Sequence, residues 1–268
     1  MKGPATLKVH DVSRAFGGVV ALHEVNLELG QDEIMGLIGP NGAGKTTLFN
    51  VISGLLKPDR GKVYFRDQDL TGASPHRITA RGVARTFQNV RLFPAMTALE
   101  NVMIGRHAKT RAGLTDAFLK FPSERREERK VREHCHGLLS RLKLESRADE
   151  LAGNLPFGMM RTLEIARALA AEPTLLLLDE PAAGLNRAET DRLAETIQAI
   201  REQGIAVIVV EHDMRLVMEI SDRVVVLNQG RKLADGPPRE VQNQADVIAA
   251  YLGEIEDEGA KTAGEERV

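Results

Sequence analysis

The sequence predicts an α/β fold with a parallel sheet core, an antiparallel β subdomain and an inserted α-helical subdomain. Continuously apolar stretches such as Leu175–Leu178 and Ala206–Val210 alternate with helical segments, a rhythm typical of parallel strands buried on both faces. Near the start of the chain, Leu7–Val12 alternates apolar and polar residues, which indicates antiparallel strands with one face in water. From about residue 98 to about residue 168 the pattern is helical instead.

The antiparallel subdomain is predicted first along the chain. Strands at Leu7–Val12 and Val25–Leu29 are separated by a turn at Gly17-Gly18. Lys62–Phe65 has the composition of a further strand of this sheet.

The sheet core is predicted to begin at Glu33–Ile38, a short buried strand. The helix that follows is expected over Thr46–Ser53, ending at Gly54. Val83–Phe87 is the next candidate strand. The later elements are then predicted as a strand at Leu175–Leu178, a helix at Arg187–Gln203, a strand at Ala206–Val210, a helix at Arg215–Ile220 and a strand at Val224–Leu227.

Two segments are dominated by charge. Glu124–His134 alternates Glu and Arg, and we interpret it as the solvated face of a helix in the inserted subdomain. Residues 254–268 are acidic without a hydrophobic period and are predicted to be a disordered tail. Residues 1–253 are then expected to form a single domain, because the sequence contains no internal repeat.

Composition limits the function. The 268 residues carry a net charge of −2, which gives no overall attraction to nucleic acid. No apolar run approaches the roughly 20 residues that span a bilayer. The one cysteine, Cys135, cannot form an intrachain disulfide, so we expect a cytosolic protein that reaches a membrane only through a partner.

The segment Gly39–Thr47 fits the phosphate-binding pattern G-x-x-x-x-G-K-[ST]. It lies between a predicted strand and a predicted helix, where backbone N–H groups converge at the positive end of the helix dipole. Lys45 is expected to bind the β- and γ-phosphates, and Thr46 to offer its hydroxyl to Mg²⁺. The other nucleotide-binding residues predicted in this loop are Gly39, Asn41, Gly42, Ala43, Gly44 and Thr47.

Residues suited to ATP hydrolysis stand at the ends of three predicted strands, where α/β sheets bind ligands. Leu175–Leu178 is followed by Asp179, a candidate Mg²⁺ ligand, and Glu180, a candidate general base. Neighbouring carboxylates at a strand end also require a positive charge nearby. His212 is predicted to contact the γ-phosphate, and Gln88 to bind both Mg²⁺ and water.

An adenine base needs an apolar surface on which to stack. The chain has no Trp and only two Tyr, and Phe16, in the turn between the first two strands, is the best candidate. The alternative is that Phe16 is a core residue of the hairpin.

The order of these motifs, with Leu155–Met159 and Glu164–Leu169 between Gln88 and Asp179, resembles the ATP-binding subunits of ABC transporters. The resemblance covers about Leu7–Gly253 and implies a two-lobed ATPase that binds ATP and Mg²⁺. It implies that Lys45 and Thr46 bind phosphate and Mg²⁺, that Asp179 is the metal-side carboxylate and that Glu180 is the catalytic base. His212 resembles the family's switch histidine, Gln88 its coupling glutamine and Phe16 its adenine-stacking aromatic.

The resemblance also implies partners. Two subunits would enclose two ATP molecules head to tail, each held by the phosphate loop of one subunit and the signature loop of the other. A groove around Gln88 would receive a helix of a transmembrane permease subunit, and a periplasmic or extracellular substrate-binding protein would act indirectly. The subunit would therefore lie at the cytoplasmic face of the cell membrane.

The subfamily that the chain most resembles is the branched-chain amino-acid importers. The resemblance rests on Phe16-Gly17-Gly18, Thr86–Asn89, Pro181–Asn186, Glu211–Met214, Tyr251–Gly253 and an insert from Gly105 to Val131. Subunits for urea or short-amide import share much of this pattern, and a lipopolysaccharide-export subunit shares the ending. A soluble non-transport ABC ATPase is the alternative from another class.

The signature loop departs from the family pattern Leu-Ser-Gly-Gly-Gln, since it is Leu155-Pro156-Phe157-Gly158-Met159. Phe157 and Gly158 fit a variant of the pattern, and we predict that Pro156, Phe157 and Gly158 face the nucleotide of the second subunit. Pro156 lacks the hydroxyl and the N–H of serine. We expect Pro156 in the first turn of a helix. Its lack of a hydrogen-bond donor should weaken the ATP site that it shares with the second subunit, so we expect the working form to be a heterodimer. Asn186 also stands where most members carry Asp.

Overall fold

The computed structural model describes residues 6–86, 88, 90–106 and 122–251, without the side chains of 122–127. The predictions for Phe87, Asn89, most of the insert, Leu252-Gly253 and the tail at 254–268 lie outside the described residues. The chain divides into two compact units. The first contains Met1–Ser74 and Ile197–Val268, and the second contains Pro75–Thr196.

The described residues form ten strands and nine α-helical segments. The strands are β1 (Leu7–Phe16), β2 (Val19–Leu29), β3 (Ile34–Ile38), β4 (Arg60–Phe65), β5 (Gln68–Asp69), β6 (Val83–Arg85), β7 (Leu175–Asp179), β8 (Ala206–Val210), β9 (Arg223–Asn228) and β10 (Arg231–Gly236). The helices are α1 (Lys45–Ile52), α2 (Pro75–Ala80), α3 (Ala98–Arg106), α4 (Pro122–Arg141), α5 (Phe157–Leu169), α6 (Arg187–Glu202), α7 (Met214–Ile220) and α8 (Pro238–Val241). Residues 245–251 are also helical.

The antiparallel subdomain of the first unit has the strand order β2-β1-β4-β5. As predicted, β1 and β2 are joined through Gly17 and Gly18, which both have positive φ. β4 pairs with the other edge of β1, which confirms the strand predicted at Lys62–Phe65. Alternate residues of these strands are buried, as a sheet with one wet face requires.

The parallel strands of the first unit are β3, β8 and β9, with β3 in the middle. Every residue of β3 and β8 is buried, and α7 packs Val217 against Val224 and Ile38 in the same core. The prediction of a purely parallel arrangement misses β10, which pairs with β9 antiparallel. The two strands are joined by a tight turn at Gln229-Gly230, where both residues have positive φ.

The second unit combines a pair of parallel strands with helices. β6 pairs with the completely buried β7, and β6 ends at Arg85, two residues before the predicted end. Helices α3 and α5 approach so closely at Gly105 that a Cβ there would collide with the Arg167 carbonyl. The charged segment is helical as predicted, and residues 128–130 of α4 are exposed. None of the described helices is long and apolar enough to cross a membrane.

Candidate functional site

The phosphate loop lies between β3 and α1, as predicted. Gly39, Gly42 and Gly44 have φ of 148°, 75° and 102°, a region that residues with a Cβ rarely occupy. A Cβ on Gly39 would collide with the carbonyl oxygen of Leu227, and one on Gly44 would lie 2.5 Å from that of Ala21. The shape of the loop therefore depends on glycine at these positions.

Lys45 is the first residue of α1 and its side chain is buried. Its ammonium donates hydrogen bonds to the carbonyl oxygens of Gly39 at 2.6 Å and Pro40 at 2.9 Å. The Lys45 side chain thus turns back onto the phosphate loop. Among the other residues predicted to bind the nucleotide, Asn41 and Thr46 are exposed and Thr47 is half-buried. Ala43 is buried, and its carbonyl accepts a hydrogen bond from the Gly230 N–H at 3.0 Å.

His212 follows β8, which runs parallel to β3 with Leu37 opposite Val210. Both strands therefore end at the same edge of the sheet, and the first unit brings His212 and the phosphate loop to that edge. The His212 side chain is exposed, and its backbone N–H donates to the buried carboxylate of Glu211 at 3.1 Å. Asp213 then caps α7 by accepting from the Leu216 N–H.

Phe16 is the last residue of β1 and remains 42% exposed. This exposure contradicts the alternative interpretation of a hairpin core residue. The next strand of the hairpin, β2, passes beside the phosphate loop, because Ala21 is the backbone neighbour of Gly44. The guanidinium of Arg14 lies over the Phe16 ring at 4.8 Å from its centroid.

In the second unit, Asp179 and Glu180 lie at the end of β7, next to the end of β6. Asp179 is buried and accepts a hydrogen bond from Arg85 at 2.7 Å, with both side chains less than a tenth exposed. Arg85 supplies the positive charge that the paired carboxylates require. The sequence contains a signal for this pair, an arginine at the end of an otherwise apolar strand, but Arg85 is not among the predicted site residues.

Glu180 and Gln88 are in direct contact. The side-chain amide of Gln88 donates to Glu180 Oε2 at 2.8 Å. The backbone of Glu180 has a φ of 47°, a left-handed conformation that is costly for a residue with a side chain and is concentrated at functional sites. The second unit therefore brings together Asp179, Glu180 and Gln88, as predicted from their positions at strand ends.

The signature loop spans the start of α5: Leu155 and Pro156 lie before the helix, and Phe157, Gly158 and Met159 are its first three residues. The prediction that Pro156 lies in the first turn of this helix is wrong, because Pro156 is its N-cap. The Pro156 carbonyl accepts hydrogen bonds from the N–H groups of Met159 and Met160 at 2.9 and 3.0 Å. Phe157 is 45% exposed, and a Cβ on Gly184 would lie 3.0 Å from its ring. The signature loop thus rests against the loop that follows Glu180.

Asn186 caps the next helix, α6, in a reciprocal arrangement. Its side-chain oxygen accepts from the Glu189 N–H at 3.1 Å, and its own N–H donates to the Glu189 carboxylate at 3.0 Å. This is a capping box with asparagine in place of serine or threonine. The same carboxylate lies 2.5 Å from the place where Gly158 would carry a Cβ, a contact that the sequence motifs did not reveal.

The family to which this chain belongs can be identified by comparison with known proteins. The ABC transporter family matches residues 22–183, more than half of the chain. The chain belongs to the ABC transporter family. A second family, the branched-chain amino acid ATP-binding cassette transporters, matches residues 231–257.

Several members of the family are similar to this chain over nearly their whole length. The high-affinity branched-chain amino acid transport ATP-binding protein LivG of Escherichia coli K12 is 47% identical over 92% of this chain and 98% of its own. The corresponding protein BraF of Pseudomonas aeruginosa is 45% identical over the same shares. A crystal structure of an ATP-binding cassette in its ADP conformation has 32% identity and a TM-score of 0.83, and it covers 94% of this chain and 100% of that chain. The fold is therefore that of the ABC ATPases, as predicted.

Proposed function

We propose that this chain is the ATP-hydrolysing subunit of an ABC transporter that imports branched-chain amino acids with high affinity. The observation that carries the substrate class is the 47% identity to LivG over nearly the full length of both proteins. The alternatives are a subunit for urea or amide import, for lipopolysaccharide export, or a soluble ABC ATPase.

The phosphate loop of the first unit supports ATP binding. Backbone N–H groups at the start of α1 would donate hydrogen bonds to the phosphate oxygens. The two carbonyl bonds that Lys45 makes now would be exchanged for bonds to phosphate, which are charge-assisted and stronger. Phe16 at the exposed hairpin tip would stack against the adenine.

Glu180 of the second unit is the proposed general base for the attacking water. Gln88 donates to Glu180 Oε2 and would orient the carboxylate that accepts the proton of that water. His212 of the first unit would donate a hydrogen bond to the γ-phosphate and orient the water.

The residues proposed for Mg²⁺ offer hard oxygen donors, as this ion prefers. They are the exposed hydroxyl of Thr46, the amide oxygen of Gln88 and the carboxylate of Asp179. The part of the chain that the structure describes contains no cluster of three His, Cys, Asp or Glu side chains. We propose that Mg²⁺ binds together with the nucleotide phosphates. When bound, the ion would neutralise charge on the transferred phosphoryl group.

The proposed working form is a dimer with a second ABC ATPase subunit. A dimeric ATP-binding cassette with ADP and phosphate bound supports this, with 28% identity and a TM-score of 0.70 over 87% of this chain and 99% of that chain. Pro156, Phe157 and Gly158 would face the ATP of the partner. Since Pro156 offers neither a hydroxyl nor an N–H, a hydrogen bond worth about 1.5–3 kcal/mol would be missing there.

We further propose that transmembrane permease subunits bind around Gln88 and hold the chain at the cytoplasmic face of the cell membrane. A periplasmic or extracellular substrate-binding protein would deliver the amino acid. No nucleic acid is expected as a partner.

ATPase rates test the catalytic assignment. Glu180→Gln should lower the rate by about 10²–10⁴-fold and leave ATP binding intact. Glu150→Gln, in an exposed ion pair with Arg147, should leave the rate unchanged. Hydrolysis that survives Glu180→Gln would rule out Glu180 as the base.

Co-purification from membranes, followed by uptake of radiolabelled leucine and urea into vesicles, tests the substrate class. Leucine uptake that needs both ATP and this chain supports the proposal. Urea uptake, or recovery of the chain without any permease, would contradict it.

The proposal of a heterodimer has its own test. Pro156→Ser should raise the ATPase rate of the chain alone. An unchanged rate, together with no effect of an added partner subunit, would contradict the heterodimer.

A further inference from the structure

The tip of the β1–β2 hairpin presents an aromatic ring to solvent. Phe16 is 42% exposed and its neighbour across the turn, Val19, is 70% exposed. The turn between them is made by Gly17 and Gly18, and a Cβ on either would meet no atom within 4 Å. There is thus open space around the tip in which a flat ligand could lie.

Arg14 covers the Phe16 ring. The two residues are two positions apart on β1, so their side chains extend from the same face of the strand. The guanidinium carbon lies 4.8 Å from the ring centroid, within the range of a cation–π contact. Arg14 is half-buried, and because its side chain has several rotatable bonds, further contacts are needed to hold it in this position.

Asp59 supplies those contacts. One of its carboxylate oxygens accepts from Arg14 at 2.6 Å, and the other accepts from the backbone N–H of Ala15 at 2.8 Å. The Asp59 N–H in turn donates to the Ser13 carbonyl at 2.9 Å. The Ala15 N–H and the Arg14 guanidinium also hold the pKa of Asp59 below its usual value, so the carboxylate is charged at neutral pH.

We infer that Arg14 is a positioning residue for the base of the nucleotide. Anchored by Asp59, it stacks on one face of the Phe16 ring and holds that ring ready to receive adenine on the other face. The inference rests on the proposed role of Phe16. Its physical basis is preorganisation, since a ring that is already fixed loses little conformational freedom when the base binds.

The experiment compares two ligands that differ only in the base. Calorimetry measures the affinity of the full chain for ATP and for ribose triphosphate, which lacks adenine. Phe16→Leu should weaken ATP binding roughly 5- to 100-fold, as expected for the loss of a stacked base. Arg14→Met should weaken it by about two- to fivefold. Neither change should alter the affinity for ribose triphosphate.

Two further variants separate stacking from charge and from folding. Arg14→Lys keeps the charge but loses the planar group, and it should weaken ATP binding like Arg14→Met. The matched control is Lys62→Met, since Lys62 lies over the Tyr64 ring of the same sheet at 5.8 Å and away from the hairpin tip. It should change neither affinity.

The possible results are distinguishable. If Phe16→Leu leaves ATP binding unchanged, the adenine role of Phe16 is wrong and the inference falls with it. If Phe16→Leu weakens ATP binding but neither Arg14 variant does, only the role of Arg14 is overturned. Equal losses for ATP and ribose triphosphate in the Arg14 variants would also overturn it, because they would indicate general damage to the site. In the double variant, the Arg14→Met change should have no further effect once Phe16 is replaced.

Discussion

Arg85 and Asp179 form a buried ion pair at 2.7 Å, at the ends of two adjacent parallel strands. Another arginine and carboxylate in the same unit, Arg147 and Glu150, are also 2.7 Å apart, but their side chains are 46% and 29% exposed. The two pairs differ in burial and not in distance. They therefore allow the effect of desolvation to be measured within one protein.

Arg85→Met should destabilise the protein by about 3–5 kcal/mol, because it leaves the Asp179 carboxylate buried without its counter-ion. Arg147→Met should cost no more than about 1 kcal/mol, as is typical of exposed pairs. Urea unfolding of both variants at neutral pH measures the difference. Equal losses would mean that Asp179 is more hydrated than its burial indicates.

Two glycines of the phosphate loop should respond differently to alanine. Gly42→Ala introduces only backbone strain of roughly 1–2 kcal/mol, since no atom lies within 4 Å of the new Cβ. Gly44→Ala adds a contact at 2.5 Å with the Ala21 carbonyl, and backbone atoms cannot move aside easily. Thermal unfolding without nucleotide should show the lower midpoint for Gly44→Ala, and the reverse order would contradict the loop geometry.

Gly158 and Gly137 are both helical glycines, yet alanine should have opposite effects at the two positions. Gly137→Ala in α4 meets nothing within 4 Å and should stabilise the protein by up to about 1 kcal/mol. Gly158→Ala should destabilise it, because the new methyl group displaces the Glu189 carboxylate that caps α6. Thermal unfolding measures both. In a Glu189→Ala background the loss from Gly158→Ala should largely disappear, and its persistence would exclude this mechanism.

Cys135 should make stability fall at alkaline pH. Burial raises the pKa of its thiol to about 11 from a usual value of 9.0. Above pH 9 the unfolded chain releases this proton while the folded chain retains it, so stability is full below pH 9 and is lost as pH rises toward 11. Between pH 8 and pH 10.5 the wild type should lose about 2 kcal/mol more than Cys135→Ala. Denaturant unfolding at the two pH values checks this, and parallel losses would show that the thiol titrates normally.

The candidate site residues could be predicted wherever a local sequence pattern marks them. The phosphate loop needs glycines at fixed spacing, and Asp179 and Glu180 follow an unmistakably apolar strand. β10 is not predicted, because Arg231–Gly236 lacks the apolar content of a core strand and pairs only along one edge. Pro156 is predicted one position too far into the helix, since the limits of a helix depend on backbone geometry that composition does not specify.

The fold class, the phosphate loop and the catalytic candidates can be predicted from sequence alone, because each depends on residue types at short, fixed separations. Which side chains touch becomes visible only in the folded protein. Arg85 is 94 residues from Asp179, Gln88 is 92 from Glu180, and Asp59 is 45 from Arg14. Such contacts arise when strands distant in the chain become neighbours in a sheet, and no local pattern encodes them.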